Sequence, residues 1–120
     1  MNDKLKQAIK DHDLWLKTIG VEGARLVGYD FKHDWLGLDL SGLDLSGADM
    51  ANLDLRDCKF IGCKLKNTDF THSNLRSSDL EGADLYKANL ENAFLMSANI
   101  KNANFTCSNV TESQLSLASS

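Results

Sequence analysis

The chain has 120 residues, enough for one domain with a real core but with little room for a second. Hydrophobic content of 42%, charged content of 25% and a net charge of −4 describe a soluble protein without the basic patch of a phosphate-neutralising nucleic-acid binder. No apolar run approaches the roughly 20 residues of a membrane span, MNDKLKQ does not read as a signal peptide, and three cysteines make no disulfide framework; a cytoplasmic protein is expected, with no membrane and no direct nucleic-acid contact.

Residues 2–20 read as a helix. Asn2 or Asp3 suits the N-cap, Leu5, Ile9, His12 and Leu16 share one face, and Gly20 suits the C-cap. Residues 1–23 are therefore assigned to a helical cap. Residues 24–37 follow as an irregular first coil, in which Ala24-Arg25-Leu26, Tyr29-Asp30-Phe31 and Asp34-Trp35-Leu36 end in apolar residues but Leu36 to Leu40 is a step of four.

From residue 38 the period becomes five, which is neither the 3.6 of a helix nor the 2 of a strand. Every fifth position from Leu40 to Leu115 is large and apolar, sixteen in succession. The residue two before each of these centres is small at every repeat after Leu53, and the residue just before each is Asp, Asn, Lys or Gln, except Phe94. One large and one small inward residue per five implies a short flat side followed by a bend. Four such sides close a coil of 20 residues, and coils stack at about the 4.8 Å spacing of hydrogen-bonded strands. Residues 20 apart then form columns, such as Leu45, Leu65, Leu85 and Phe105.

Ala83-Asp84-Leu85, Ala88-Asn89-Leu90, Ala98-Asn99-Ile100 and Ala103-Asn104-Phe105 carry the pattern A-(D/N)-L-x-x, which resembles the pentapeptide-repeat family over residues 38–118. The resemblance implies an all-β solenoid, a right-handed quadrilateral β-helix with an N-terminal α-helical cap. His12-Asp13-Leu14-Trp15-Leu16, followed by Gly20 and Gly23, is similar to a leader that precedes the repeats in this family. Such a helix would cover the open end of a stacked coil and its unpaired backbone. The C-terminus carries no comparable lid. VTESQLSLASS stays in phase through Leu115 and Ala118, so the last coil should fray or pair with another molecule, and the resemblance implies a homodimer there through Leu115 and Leu117.

No catalytic constellation is present. His12, His33 and His72 are scattered with no Cys or carboxylate at ligand spacing, and neither a Ser-His-Asp order nor a glycine-rich phosphate loop occurs, so no enzyme, metal or cofactor is expected. Cys58 and Cys63 occupy the small inward position and read as buried packing, whereas Cys107 points outward. Gly42 and Gly47 are turn glycines.

Asp39, Asp44, Asp49, Asp54, Asp69, Asp79 and Asp84 precede centres and support two readings. One is an acidic surface imitating DNA, since some members of the resembling family protect DNA gyrase that way. The other is turn chemistry, in which a short carboxylate bonds nearby backbone. Charge density favours the second. Duplex DNA carries one charge per about 1.7 Å, whereas residues 36–120 hold eleven acids against seven bases. Phe94 puts an aromatic ring outside, with Met96 beyond the centre and Tyr86 further around, a signature of a partner or dimer contact. His72, Arg76 and Trp35 carry no comparable signal. The leading expectation is a non-catalytic protein-interaction module of bacterial or phage origin with an unknown protein partner. The alternative is a DNA-mimicking inhibitor or protector of a topoisomerase or another DNA-binding enzyme.

Overall fold

The computed structural model describes residues 1–119. Helix α1 spans Asp3–Lys17, and the Asn2 side chain accepts from the Lys4 and Leu5 N–H groups as an N-cap. The helix stops earlier than Gly20: Thr18 is the C-cap, Ile19 and Gly20 are left-handed (φ 54° and 81°), and the Gly20 N–H donates to Trp15 O at 2.8 Å. Leu5 and His12 of the expected inner face are fully buried, while Ile9 and Leu16 are half-buried.

His12 joins this helix to the coil beyond it. Its Nδ1 accepts the Leu26 N–H at 2.9 Å, so the ring proton sits on Nε2, which lies 2.9 Å from Ser46 O. Burial pushes the His12 pKa below its ordinary value of 6.5; the Ser46 carbonyl, Asp44 and Asp13 oppose that shift and Arg25 adds to it. The unfolded chain therefore takes up the proton first. The stability this ring contributes is complete above pH 6.5 and is lost as pH falls below it toward the folded pKa. The midpoint of urea denaturation is expected to fall between pH 7.5 and 5.5, and His12→Gln to flatten that slope. Equal slopes in the two proteins would remove His12 as the cause.

The body of the molecule is a β-helix solenoid. Parallel bridges join residues 20 apart, from Asp39↔Lys59 to Asp84↔Asn104, with four bridged sides per coil between residues 39 and 94. Each side contributes one bridging residue and not a strand of several, because a bend follows after five residues. The bend has a fixed conformation: every residue two past a centre, from Gly37 to Cys107, is left-handed with φ between 56° and 76°. The centre's carbonyl accepts from the N–H three residues on, as Leu55 O does from Cys58 at 3.2 Å, the hydrogen bond of a β-turn with its positive φ at the third residue. Glycine, Asn or Asp fill ten of these fifteen positions, since they reach φ > 0 at least cost.

The centres Leu40 to Leu95 are all buried, and Ile100, Phe105, Val110 and Leu115 are half-buried. Small inward polar residues bond to the coil below: Cys58 Sγ donates to Trp35 O at 2.9 Å, Cys63 Sγ to Leu40 O at 2.8 Å and Thr68 Oγ1 to Leu45 O at 3.0 Å. Burial raises both thiols to about 11, which leaves them unreactive. Leu53, a large residue where small ones rule, is accommodated because Gly28 lies over it without a side chain.

Two expectations are corrected. In residues 24–37 Leu26 is buried as read, but the inward residue of the last repeat is Trp35, fully buried, and not Leu36, which is 56% exposed. Trp35 is five before Leu40, so the phase begins there, and a 3₁₀ turn over Gly28–Phe31 breaks it upstream. At the other end the regular coil does not reach residue 118. Helix α2 occupies Glu112–Leu117, closed by a capping box between Thr111 and Gln114, and the chain then returns to bridge Asn99 with Ser119. The C-terminus therefore carries a folded element in place of an open regular coil, because reciprocal capping of a short helix competes with one more side.

Candidate interaction surface

The seven aspartates are placed by local chemistry. Each accepts a hydrogen bond through Oδ1 from the backbone N–H two residues on, at 2.9–3.3 Å. The Ser41 hydroxyl beside Asp39 and the Arg56 guanidinium beside Asp54 hold those two carboxyls below the usual range. Along the columns the charges do not accumulate: Lys59 stands between Asp39 and Asp79, Lys64 between Asp44 and Asp84, and Asn74 follows Asp54. Only Asp49 and Asp69 are acidic neighbours in one column.

The apolar candidates divide. Phe94 (52% exposed), Met96 (46%) and Leu117 (55%) line one groove of about 560 Å³ between the side that carries residues 91–96 and helix α2. Tyr86 is half-buried under the Lys87 ammonium and does not line it, and neither does Leu115. The side that carries Phe94 follows the register, as Phe94 bridges Asn74 at the end of the Asp54 column. The α2 wall is fixed by Gln114, whose Nε2 donates to Leu90 O at 2.7 Å and Ala93 O at 3.0 Å.

Sequence reasoning passed over two groove residues. The Arg76 guanidinium lies 4.8 Å from the Phe94 ring centroid, a cation–π contact, and it makes no ion pair with a carboxylate among the described residues. Its signal was positional, since Arg76 and Phe94 lie on the same side in successive coils. As a groove residue Gln114 carries no sequence signal beyond that of a polar residue in phase. Among the described residues no group of three His, Cys, Asp or Glu could hold a metal ion, and no helix is long and apolar enough to cross a membrane.

A five-residue side bridged at every twentieth residue defines a β-solenoid whose surface is a set of side-chain columns. The chain belongs to the pentapeptide repeat family, whose model matches in 8 copies over residues 39–76, 54–92, 63–102 and 78–116. No curated protein matches it. Among solved structures it is similar to Rfr23, a pentapeptide repeat protein from the cyanobacterium Cyanothece 51142, at 24% identity and a TM-score of 0.49, covering 62% of this chain and 57% of that one. It is similar to a pentapeptide repeat protein of the Arabidopsis thaliana thylakoid lumen at 32% identity and a TM-score of 0.41, covering 64% and 50%. QnrB1, a plasmid-mediated fluoroquinolone resistance protein, follows at 22% identity and a TM-score of 0.46, covering 62% and 44%. The chain spans about half the length of these proteins.

Proposed function

We propose that this chain is a non-catalytic protein-binding module whose contact surface is the groove between the Phe94 side and α2. In this reading α1 is an N-terminal cap, the coil is the right-handed quadrilateral form of the family, and its work is to hold the groove rigid. What supports it is one convergence: Phe94, Met96 and Leu117, from two separate segments, expose their apolar surface in a single concavity. A preformed groove orders little on binding, which favours affinity.

The acidic reading, with a topoisomerase or another DNA-binding enzyme as target, has weaker support. Its carboxylates are tied to turn N–H groups and interrupted by Lys59 and Lys64. The two readings differ in salt dependence. A pull-down with tagged protein beside Phe94→Asp, at low and moderate salt, is expected to capture a protein that survives the salt and is lost in the variant. A partner that survives Phe94→Asp but leaves as salt rises would transfer the function to the acidic columns.

A further inference from the structure

We infer that the groove receives an extended segment of a partner protein that completes the parallel ladder on the Phe94 side, with one acidic side chain set against Arg76. This rests on the reading of the groove as a protein-binding surface and names what binds there. The argument is one of register. On this side each centre donates its N–H to the carbonyl 19 residues on: Leu55 to Asn74 O and Leu75 to Phe94 O, both at 2.8 Å. In return the bridging residue donates to the coil before it, as Asn74 does to Leu53 O at 2.9 Å and Phe94 to Ser73 O at 3.0 Å. The next rung would pair Leu95 N–H with a carbonyl at position 114, and an N–H at 114 with Ala93 O.

The chain turns into α2 instead, and only half of that rung is replaced. The Gln114 side-chain amide supplies the donor to Ala93 O. The Leu95 N–H has no acceptor among the described residues, and neither has the Asn92 N–H before it; beyond them Ser97 N–H meets Leu117 O at 2.9 Å, 20 residues on where the regular register gives 19. A gap of this kind in a parallel ladder is what an added strand fills, its backbone carbonyl meeting Leu95 N–H. The column then dictates side chains. A residue in that register stacks on Phe94, as Phe94 does on Asn74, so it is apolar or aromatic. Arg76 carries a charge with no carboxylate partner, in contrast to Arg56, which is paired to Asp54 at 2.7 Å. Glu91 lines the same groove, so a single acid in register is favoured and a polyacidic segment is not.

The test uses the full chain and random eight-residue peptides displayed on phage, followed by synthetic copies of the selected peptides and amide NMR. Selected peptides are expected to share an apolar residue at fixed spacing from one Asp or Glu, and to protect the Leu95 amide from exchange. Leu117→Asp, outside the coil interior, is expected to weaken them roughly tenfold. Arg76→Glu should weaken them by a similar factor, and exchanging the peptide's acid for Lys should restore binding to that variant. Peptides without an acid, peptides that bind as helices, a Leu95 amide that stays unprotected, or no selection above the starting library would each overturn the inference. If a folded protein is still captured by the wild type and lost in Phe94→Asp, the protein-binding reading stands and only the strand-addition inference fails.

Discussion

Leu85→Lys abolishes the cooperative thermal transition of the whole solenoid. Leu85 is fully buried in the column Leu45, Leu65, Leu85 and Phe105, and its N–H and C=O are both engaged, with Asn104 O at 2.8 Å and Ala88 N–H at 2.9 Å. A lysine here puts an ammonium into an interior lined by aliphatic side chains and turn carbonyls that already accept bonds. The expected cost is about 5 kcal/mol or more, comparable with the total stability of a small domain. A solenoid of few coils has no independent core to survive beside the damage, since each coil is stabilised mainly by its neighbours. Leu85→Met is the control, with an expected loss below about 1.5 kcal/mol because volume and polarity are conserved. Circular dichroism with urea titration reads both variants. A Leu85→Lys protein with an unchanged transition would mean that position 85 does not face the interior, and the column assignment would be wrong.

The columns could be read from sequence because burial repeats with the geometry that causes it. Every fifth residue from 40 to 95 meets the same buried environment, so each position votes for the same period, and inward Cys, Ser, Thr and Ala mark where room is short. The left-handed bend was legible in principle: Gly37, Gly42, Gly47, Gly62 and Gly82 share one phase with Asn52, Asp57, Asn67, Asn92 and Asn102. It was obscured by Lys87, Ser97 and Cys107 in the same phase, which adopt φ near 60° because the coil imposes it. The C-terminal error has a different source. Val110 and Leu115 keep the apolar period, but Thr111 and Gln114 also spell a capping box, and the local signal prevailed over the periodic one. The groove was not legible. Phe94 and Met96 were recognisable as misplaced apolar residues, but the approach of Leu117 depends on α2, and the unpartnered charge of Arg76 depends on coil stacking.

The first coil offers the second large effect. Trp35→Ala is expected to cost about 3–5 kcal/mol, the range for emptying a buried aromatic site. The ring is fully buried, its Nε1 donates to Gly28 O at 2.9 Å, and its backbone carbonyl accepts the Cys58 thiol at 2.9 Å, so one residue ties the 3₁₀ turn to the coil beyond it. Trp35→Phe separates two parts of that role, because it keeps most of the volume and leaves the Gly28 carbonyl without its donor. A loss of about 1–2 kcal/mol is expected for it. Leu36→Ala, at a residue 56% exposed, should lie within about 0.5 kcal/mol of wild type. The neighbouring pair thus decides the phase of the first coil, since a coil centred on Leu36 would reverse the order of the two alanine variants. Urea denaturation followed by tryptophan fluorescence measures them, with Trp15 as the remaining reporter in Trp35→Ala and both tryptophans in Leu36→Ala. Amide exchange adds the spatial test. If Trp35 serves as the wedge between the 3₁₀ turn and the coil, exchange in Trp35→Ala should rise first at Leu26 and Gly28, whose N–H groups bond to His12 and Asp49, and only later at Leu65 and Leu85. Simultaneous exposure of all four amides would show that the first coil has no separate opening step and that Trp35 acts through global stability alone.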